Sequence, residues 1–436
     1  MAGSPLSALD VAFLCLESEK SPMHMGAVIT FTARRPVDPS ALTAILAERA
    51  ARLPKLRQRA RAELFPPGAA SWTEDADFVA AEHIHHVELS SLYDPDPLAV
   101  YASRWIAEPL DTRRPLWDLT LVTGLPDGKF ALLMKLHHAL TDGAGAYAVM
   151  AGLLDGVKLP SAPAPRIPAQ RSTLDTVKDA LGTVWDQANE AAGIASSVVR
   201  ATRPTLSPVS APVSAERRLG FVRLPLPELR RVRRAHGGTT NDVVLAVLSG
   251  ALREWLVNRG HRADGRTLRA LIPVSVRGRA GDQLGGNKLS GYLCDLPVGE
   301  DDPVERLRVV RRAMNRNKAA GPSRGAGALP LLADRVPSLL HRLGTRTAGQ
   351  AAPLLFDLVI TTVPVPPARL SIDGAALAEV YPFVPLAPRH AVGIAVATYR
   401  DSVHIGLQVN GEAVPDIGSL RDAVLKSTAR LLDASS

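Results

Sequence analysis

The chain has 436 residues, of which 46% are apolar, 22% charged and 4% aromatic, and its formal net charge is +8 at pH 7. That length exceeds one ordinary core and points to two domains of roughly 200 residues each. The balance excludes a disordered chain, and no run of about 18 uninterrupted apolar residues is present to span a bilayer.

The N-terminus, MAGSPLSALDVAFLCLESEK, lacks a basic leader, and its apolar run is broken by Asp10, so it does not read as a signal peptide. Residues 26–32 (GAVITFT) predict a strand, and 39–51 a helix with Leu42, Ile45 and Leu46 on one face. A strand is expected at 78–89, a helix at 98–106, and two strands at 116–123 and 130–137 joined by the turn Pro126-Asp127-Gly128. The small-residue apolar run at 143–154 predicts another helix. Residues 159–173 are proline-rich linker chemistry, and 173–199 have helical spacing suited to a crossover brace between domains, with an interfacial amphipathic helix as the alternative. The second half restarts with a strand at 219–224 and a helix to 256 capped by Thr240 or Asn241. Strands at 268–276 and 288–297, a helix at 304–320, a strand at 358–363, a hairpin at 393–399 and 403–409, and a closing helix at 417–432 follow. Strands and helices interleave without a repeat, which defines a mixed α+β or α/β class. The organisation is then 1–158, a linker and crossover helix at 159–215, and 216–436.

Basic residues cluster at 52–61, at Arg230, Arg231, Arg233 and Arg234, and at 306–318. Such clusters suit an anionic membrane surface or a phosphorylated ligand, and equally a solvated helix face. Nucleic acid is disfavoured, because no binding module or aromatic stacking platform accompanies the charge. Cys15 and Cys294 lie far apart in apolar stretches, as buried thiols in a reducing cytosol would.

The densest chemistry is Leu136-His137-His138-Ala139-Leu140-Thr141-Asp142-Gly143, at the end of a core strand and the start of a helix. Consecutive strand residues face opposite ways, so one imidazole enters a cavity while the other packs into the wall behind it. The same divergence argues against joint metal chelation by His137, His138 and Asp142. His83, His85 and His86 form a second cluster, which a polar edge strand explains without a metal. Trp117 reads as a strand's core anchor or as a channel wall.

The arrangement HHxxxDG resembles the active-site motif of the acyl-CoA-dependent acyltransferase and condensation-domain superfamily. Ser7-Ala8-Leu9-Asp10, Phe13-Leu14, Pro22-Met23-His24-Met25-Gly26, Arg114-Pro115-Leu116-Trp117, Asn241-Asp242, the run Pro273 to Arg277, and Gly286-Asn287 follow in the order of the bacterial wax ester synthase/diacylglycerol acyltransferase family. The resemblance implies two chloramphenicol-acetyltransferase-like half-molecules with the active-site channel between them. It assigns the general base to His138, an orienting role to His137, and a loop-fixing role to Asp142 through an arginine, with Arg277 as candidate partner. A histidine titrating near neutrality suits that task. Gly143 is expected to allow a tight turn and close approach of substrate. Trp117, Asn241 and Asn287 are the further candidates for substrate contact, Asn241 being equally a helix cap and Asn287 equally a turn residue. The implied activity is transfer of a long acyl chain from acyl-CoA, as co-substrate, to a lipid alcohol, with no other cofactor and no metal. The implied setting is the cytoplasm, with peripheral contact at a membrane or lipid-droplet surface as one option. Where the family usually carries Asn-Val-Pro-Gly-Pro, this chain has Thr362-Val363-Pro364-Val365-Pro366, which bears on the acceptor pocket. Esterification of a polyketide or other secondary alcohol, and acyl-CoA binding without turnover, stay open as alternatives.

Overall fold

The computed structural model describes residues 4–62, 70–89, 96–157, 207–275, 289–320, 355–365 and 368–435. Residues 158–206, which hold most of the linker and crossover helix expected at 159–215, and the candidates Arg277 and Asn287 lie outside the described residues.

Two six-stranded mixed sheets form the two lobes. The first runs β12 (Ser371–Ile372), β13 (Ala375–Phe383), β2 (His24–Thr32), β7 (Lys129–His137), β6 (Trp117–Thr123), β5 (Ile84–Glu88). The second runs β10 (Leu289–Leu296), β9 (Leu268–Ser275), β11 (Leu358–Pro364), β14 (Val392–Tyr399), β15 (Ser402–Asn410), β8 (Arg217–Pro225). A small sheet of β1 (Ser4–Pro5), β4 (Ala70–Glu74) and β3 (Gln58–Ala62) completes the strands among the described residues. The first sheet thus draws two strands from the last third of the chain.

The β6–β7 hairpin forms where expected, because Asp127 and Gly128 both take positive φ, at 60° and 65°, and turn the chain back. The strand expected across 78–89 is shorter, since a 3-10 turn at Ala80–His83 precedes β5. Helix α1 (Ala8–Leu16) starts at a Ser7/Asp10 capping box. Helix α2 (Pro39–Ala51) is capped by Asp38 with Pro39 in its first turn. With α4 (Gly143–Leu153) it covers one face of the first sheet, over a core holding Ile29, Phe31, Leu42, Leu46, Leu132 and Leu136. Helix α3 (Pro97–Ala107) covers the other face with Ala102, Trp105 and Ile106. There the Ser103 hydroxyl accepts the Leu219 N–H of β8 at 2.8 Å, tying the lobes together.

The second sheet packs against α5 (Leu226–His236), α6 (Thr240–Asn258), α7 (Pro303–Ala320) and α8 (Ile417–Asp433) around Leu229, Val247, Leu252, Leu307, Ile405 and Leu420. The cap of α6 is Thr239, just before the Thr240 or Asn241 that the sequence suggested. Its hydroxyl accepts the Asp242 N–H while the Asp242 carboxylate accepts the Thr239 N–H at 2.7 Å, a reciprocal pair that only Thr239 completes. The two sheets nearly touch where β13 passes β15: a Cβ on Gly406 would lie 1.8 Å from the Pro382 carbonyl oxygen. Among the described residues, no helix is long and apolar enough to cross a membrane. Both cysteines are free thiols; burial pushes the Cys294 thiol up to about 12, whereas Cys15 is only half-buried.

Candidate active site

Strand β7 carries the two histidines to opposite faces. His137 shares the face of Lys135 and is fully buried, whereas His138, just past the strand, lines a cavity between the lobes. Its walls are Met25, Gly26 and Ala27 of β2, Met134 of β7, the α4 face formed by Gly143, Ala146, Tyr147 and Met150, Pro273 and the alternate β11 residues Thr361 and Val363, and the end of β13 through Pro385. The space is about 730 Å³ including its opening to solvent. Apart from the side chains of His138, Tyr147 and Thr361, this lining is apolar.

The His138 ring stacks on Phe13 of α1, with centroids 4.0 Å apart and planes 23° apart. Its main-chain N–H donates to the Met23 carbonyl at 2.9 Å. Burial is the chief cause that lowers its pKa to about 4; an interaction with its own main chain and the charge of Asp142 oppose this. That departs from the near-neutral value expected. A low-dielectric wall penalises the imidazolium, so the ring is neutral and able to accept a proton at pH 7.

Behind the cavity wall lies a polar cluster that sequence reading missed. Glu17 ends α1, with Oε2 3.2 Å from His137 Nε2 and Oε1 3.4 Å from His24 Nε2. His24 stands directly opposite His137 in the β2–β7 ladder, its Nδ1 3.3 Å from the Ile106 carbonyl. The Ala139 N–H donates to His137 Nδ1 at 3.0 Å, so Nε2 is the ring nitrogen left to donate towards Glu17. Burial works against the charge of Glu17, but the His137 and His24 ring nitrogens outweigh it and hold its carboxyl well below the usual range. Burial is likewise the leading cause lowering the His24 pKa, against Glu17, which raises it. Lys135 is buried beside them, donating to the Trp105 and Glu108 carbonyls at 2.8 and 3.1 Å, and burial lowers its pKa.

Asp142 is buried and is the N-cap of α4, accepting the Gly145 N–H at 2.9 Å. Gly143 corrects an expectation: its φ is not positive, and an added Cβ would meet nothing within 4 Å. Its lack of a side chain leaves room in the cavity instead of permitting a turn. Trp117 is a core anchor, not a wall of this cavity. It is 1% exposed, donates from Nε1 to the Leu56 carbonyl at 2.7 Å, and stacks on His83 at 4.5 Å. His83 also contacts the Trp117 carbonyl through Nδ1, His85 pairs with Asp118 at 3.1 Å, and His86 meets Thr123 at 2.8 Å, so the second histidine cluster is spent on structure. No group of three or more His, Cys, Asp or Glu side chains among the described residues is arranged to hold a metal.

Asn241 lies outside the cavity lining, but its Oδ1 accepts the Thr362 hydroxyl at 3.0 Å. This bond ties the start of α6 to β11 beside Thr361 and Val363, which do line the cavity. Val365, where the resemblance expects glycine, puts an isopropyl group into the same wall.

A neutral imidazole in an apolar cavity between two linked mixed lobes defines a site built for proton removal away from bulk water. Residues 6–244 match the wax ester synthase/diacylglycerol acyltransferase catalytic domain, and residues 285–431 match the C-terminal domain of the same family. The chain belongs to that family and is an acyltransferase of that type. It is 30% identical over 458 residues to a probable diacylglycerol O-acyltransferase, tgs1, of Mycobacterium tuberculosis, covering 99% of this chain and 96% of that one. A second relative from the same organism, tgs2, is 29% identical over 442 residues, covering 94% and 95% of the two chains. Among solved structures, the wax ester synthase/diacylglycerol acyltransferase of Marinobacter aquaeolei VT8 superposes with a TM-score of 0.74 at 25% identity, covering 99% of this chain and all (100%) of that one. The first condensation domain of the CDA synthetase shares the two-lobed fold, with a TM-score of 0.59 at 17% identity, covering 100% of this chain and 97% of that one.

Proposed function

We propose that this chain moves a long acyl group from acyl-CoA to a lipid alcohol, diacylglycerol or a fatty alcohol, with His138 as general base. The observation that carries the proposal is the neutral His138 ring set in an otherwise apolar wall. The alcohol donates its hydroxyl proton to the imidazole as its oxygen attacks the thioester carbonyl carbon. Collapse of the tetrahedral adduct breaks the C–S bond, and the imidazolium returns the proton to the departing thiolate, releasing CoA thiol and an ester. The exchange needs one proton acceptor and one electrophile, so acyl-CoA as co-substrate supplies all the chemistry beyond the side chains. Asp142 acts by capping α4 and by favouring the transient imidazolium through its charge, not by relaying protons. His137, Glu17 and His24 brace the strand end that presents His138. The apolar lining keeps water from competing with the alcohol.

The α5 arginines Arg230, Arg231, Arg233 and Arg234 are all exposed, while Leu226, Leu229 and Val232 hold the helix to the core. That face suits peripheral contact with an anionic membrane or lipid-droplet surface, where the acceptor resides. Co-sedimentation with phosphatidylglycerol vesicles that weakens when these arginines become glutamines supports this contact, and unchanged binding removes it.

The decisive test is purified protein with labelled palmitoyl-CoA and a mixed panel of diacylglycerol, alkanols and secondary alcohols, with products identified by mass. CoA thiol should appear in step with ester, and His138→Ala should slow both by roughly 10²- to 10⁴-fold. An unaltered rate in that variant rules out the mechanism. Palmitoyl-carrier-protein used in preference to palmitoyl-CoA would favour the secondary-alcohol reading.

A further inference from the structure

Four residues of α4 line the cavity at positions 143, 146, 147 and 150, a single face of the helix. Three of them are glycine, alanine and methionine. The fourth, Tyr147, has a buried phenolic oxygen with no hydrogen-bond partner among the described residues. A buried hydroxyl left unpaired is costly, and on a residue that lines the cavity a ligand oxygen is a partner that can satisfy it. Burial raises the Tyr147 pKa, so the phenol is protonated at neutral pH and serves as a donor. It lies one helical turn, about 6 Å, beyond Gly143 along the wall that begins next to His138.

Resting on the acyltransferase reading above, we infer that Tyr147 is a specificity-determining residue: its hydroxyl donates a hydrogen bond to an ester carbonyl of the acceptor, so the site favours an acylglycerol over a simple alkanol. The two acceptor classes differ in this one respect near the reacting oxygen. A diacylglycerol carries an ester carbonyl a few bonds from its free hydroxyl, whereas an alkanol offers only methylenes there. With an alkanol bound, the Tyr147 hydroxyl stays buried and unpaired; with a diacylglycerol bound, it is satisfied. A site with a polar group aimed at a substrate oxygen discriminates strongly against the analogue lacking that oxygen. The walls around it, Met25, Met134 and Met150, are unbranched and adaptable, and distinguish acyl tails poorly. The selectivity is therefore concentrated in the phenol.

The test is the full-length chain and its Tyr147→Phe variant, with palmitoyl-CoA and either 1,2-dioleoylglycerol or hexadecanol in mixed micelles, following CoA thiol release. In the variant, kcat/KM for dioleoylglycerol should fall about tenfold or more while that for hexadecanol stays level or rises, so that the ratio of the two collapses. The fall for dioleoylglycerol should include a rise in KM. A thermal melt of both proteins checks that the fold is retained, since the change removes one oxygen. Equal losses on both acceptors would show that the phenol serves a part they share, such as the thioester carbonyl, and would overturn the inference. An unchanged ratio overturns it too, as does a lower melting temperature with unaltered selectivity, which would assign the hydroxyl to the protein's own packing. Wild-type protein that turns over neither acceptor defeats the transferase reading itself, and this inference with it. Wild-type protein active on both, with His138→Ala inactive and the Tyr147→Phe ratio unmoved, defeats this inference alone.

Discussion

The two six-stranded sheets meet at one cavity but bring different things to it. The first presents His138 and keeps His24, His137 and Lys135 buried close behind, with the half-buried Glu17 between the two histidines. The second offers Pro273, Thr361 and Val363 from β9 and β11, while the hydrogen-bonded pair Thr362 and Asn241 lies outside the lining. In the proposed mechanism the proton chemistry belongs to the first lobe, and the second closes the cavity with mostly apolar surface. On the proposal above, a base held by one lobe could serve different acceptors as the opposing wall changes.

If the division is real, damage to the first lobe's cluster should be the more severe. Glu17→Gln leaves the two ring nitrogens facing an uncharged amide. The side chain of Glu17 is 13% exposed, which moderates the usual penalty for breaking a buried pair, so a loss of about 2–3 kcal/mol is expected in a denaturant melt. Activity should fall as well, because His137 and His24 help to fix the strand end. A variant as stable as the parent would remove the cluster from any bracing role.

Acid should act on both lobes. His138 titrates near 4 in the folded chain, well below its ordinary 6.5, and burial lowers His404 of β15 to about 4 as well. Both are depressed, so the unfolded chain takes up their protons first. The stability they contribute is complete above pH 6.5 and is lost as the pH falls towards 4. Glu17, depressed from 4.5, adds a further loss below that value. Melts between pH 8 and 4 should show this decline, while kcat/KM stays level to about pH 5 wherever the fold persists. A kcat/KM profile with its midpoint at 6.5 would contradict the burial of His138.

Gly143→Ala probes the space itself. The new methyl meets no protein atom, so stability should change little, but it narrows the cavity and should lower kcat/KM by about tenfold. Unchanged kinetics would place the substrate elsewhere. Thr362→Val is the mildest change, removing one exposed hydrogen bond worth about 0.5–1 kcal/mol. Its effect should be confined to acceptor preference, read as the product ratio from competing alcohols; a fall in rate common to all acceptors would move Thr362 into the first lobe's task.

Much of the site was legible because it is local. The apolar run ending at His137, the turn at Asp127-Gly128 and the helix beginning after Asp142 are specified by neighbours within a few residues of one another. The α6 cap was expected at Thr240 or Asn241 and is Thr239, and only the three-residue reciprocity between Thr239 and Asp242 decides it. Glu17 was invisible for a different reason. Its partners are seven and 120 residues away, and nothing in its own surroundings marks it apart from a solvent-facing acid. Strand β13 escaped likewise, since its ladder with β2 joins residues some 350 positions apart. Tyr147 lay in plain view within a helix correctly expected, but only the enclosed phenolic oxygen sets it apart from core packing.

That late strand governs how the protein is made. Until β13 has left the ribosome, the flank of β2 stands open, and the Val28, Ile29 and Phe31 side chains it carries lack their final cover. A nascent chain in that state offers an open ladder to any neighbouring polypeptide for most of its synthesis. A message truncated before Phe383 would therefore yield an aggregating fragment, not a weakly active one.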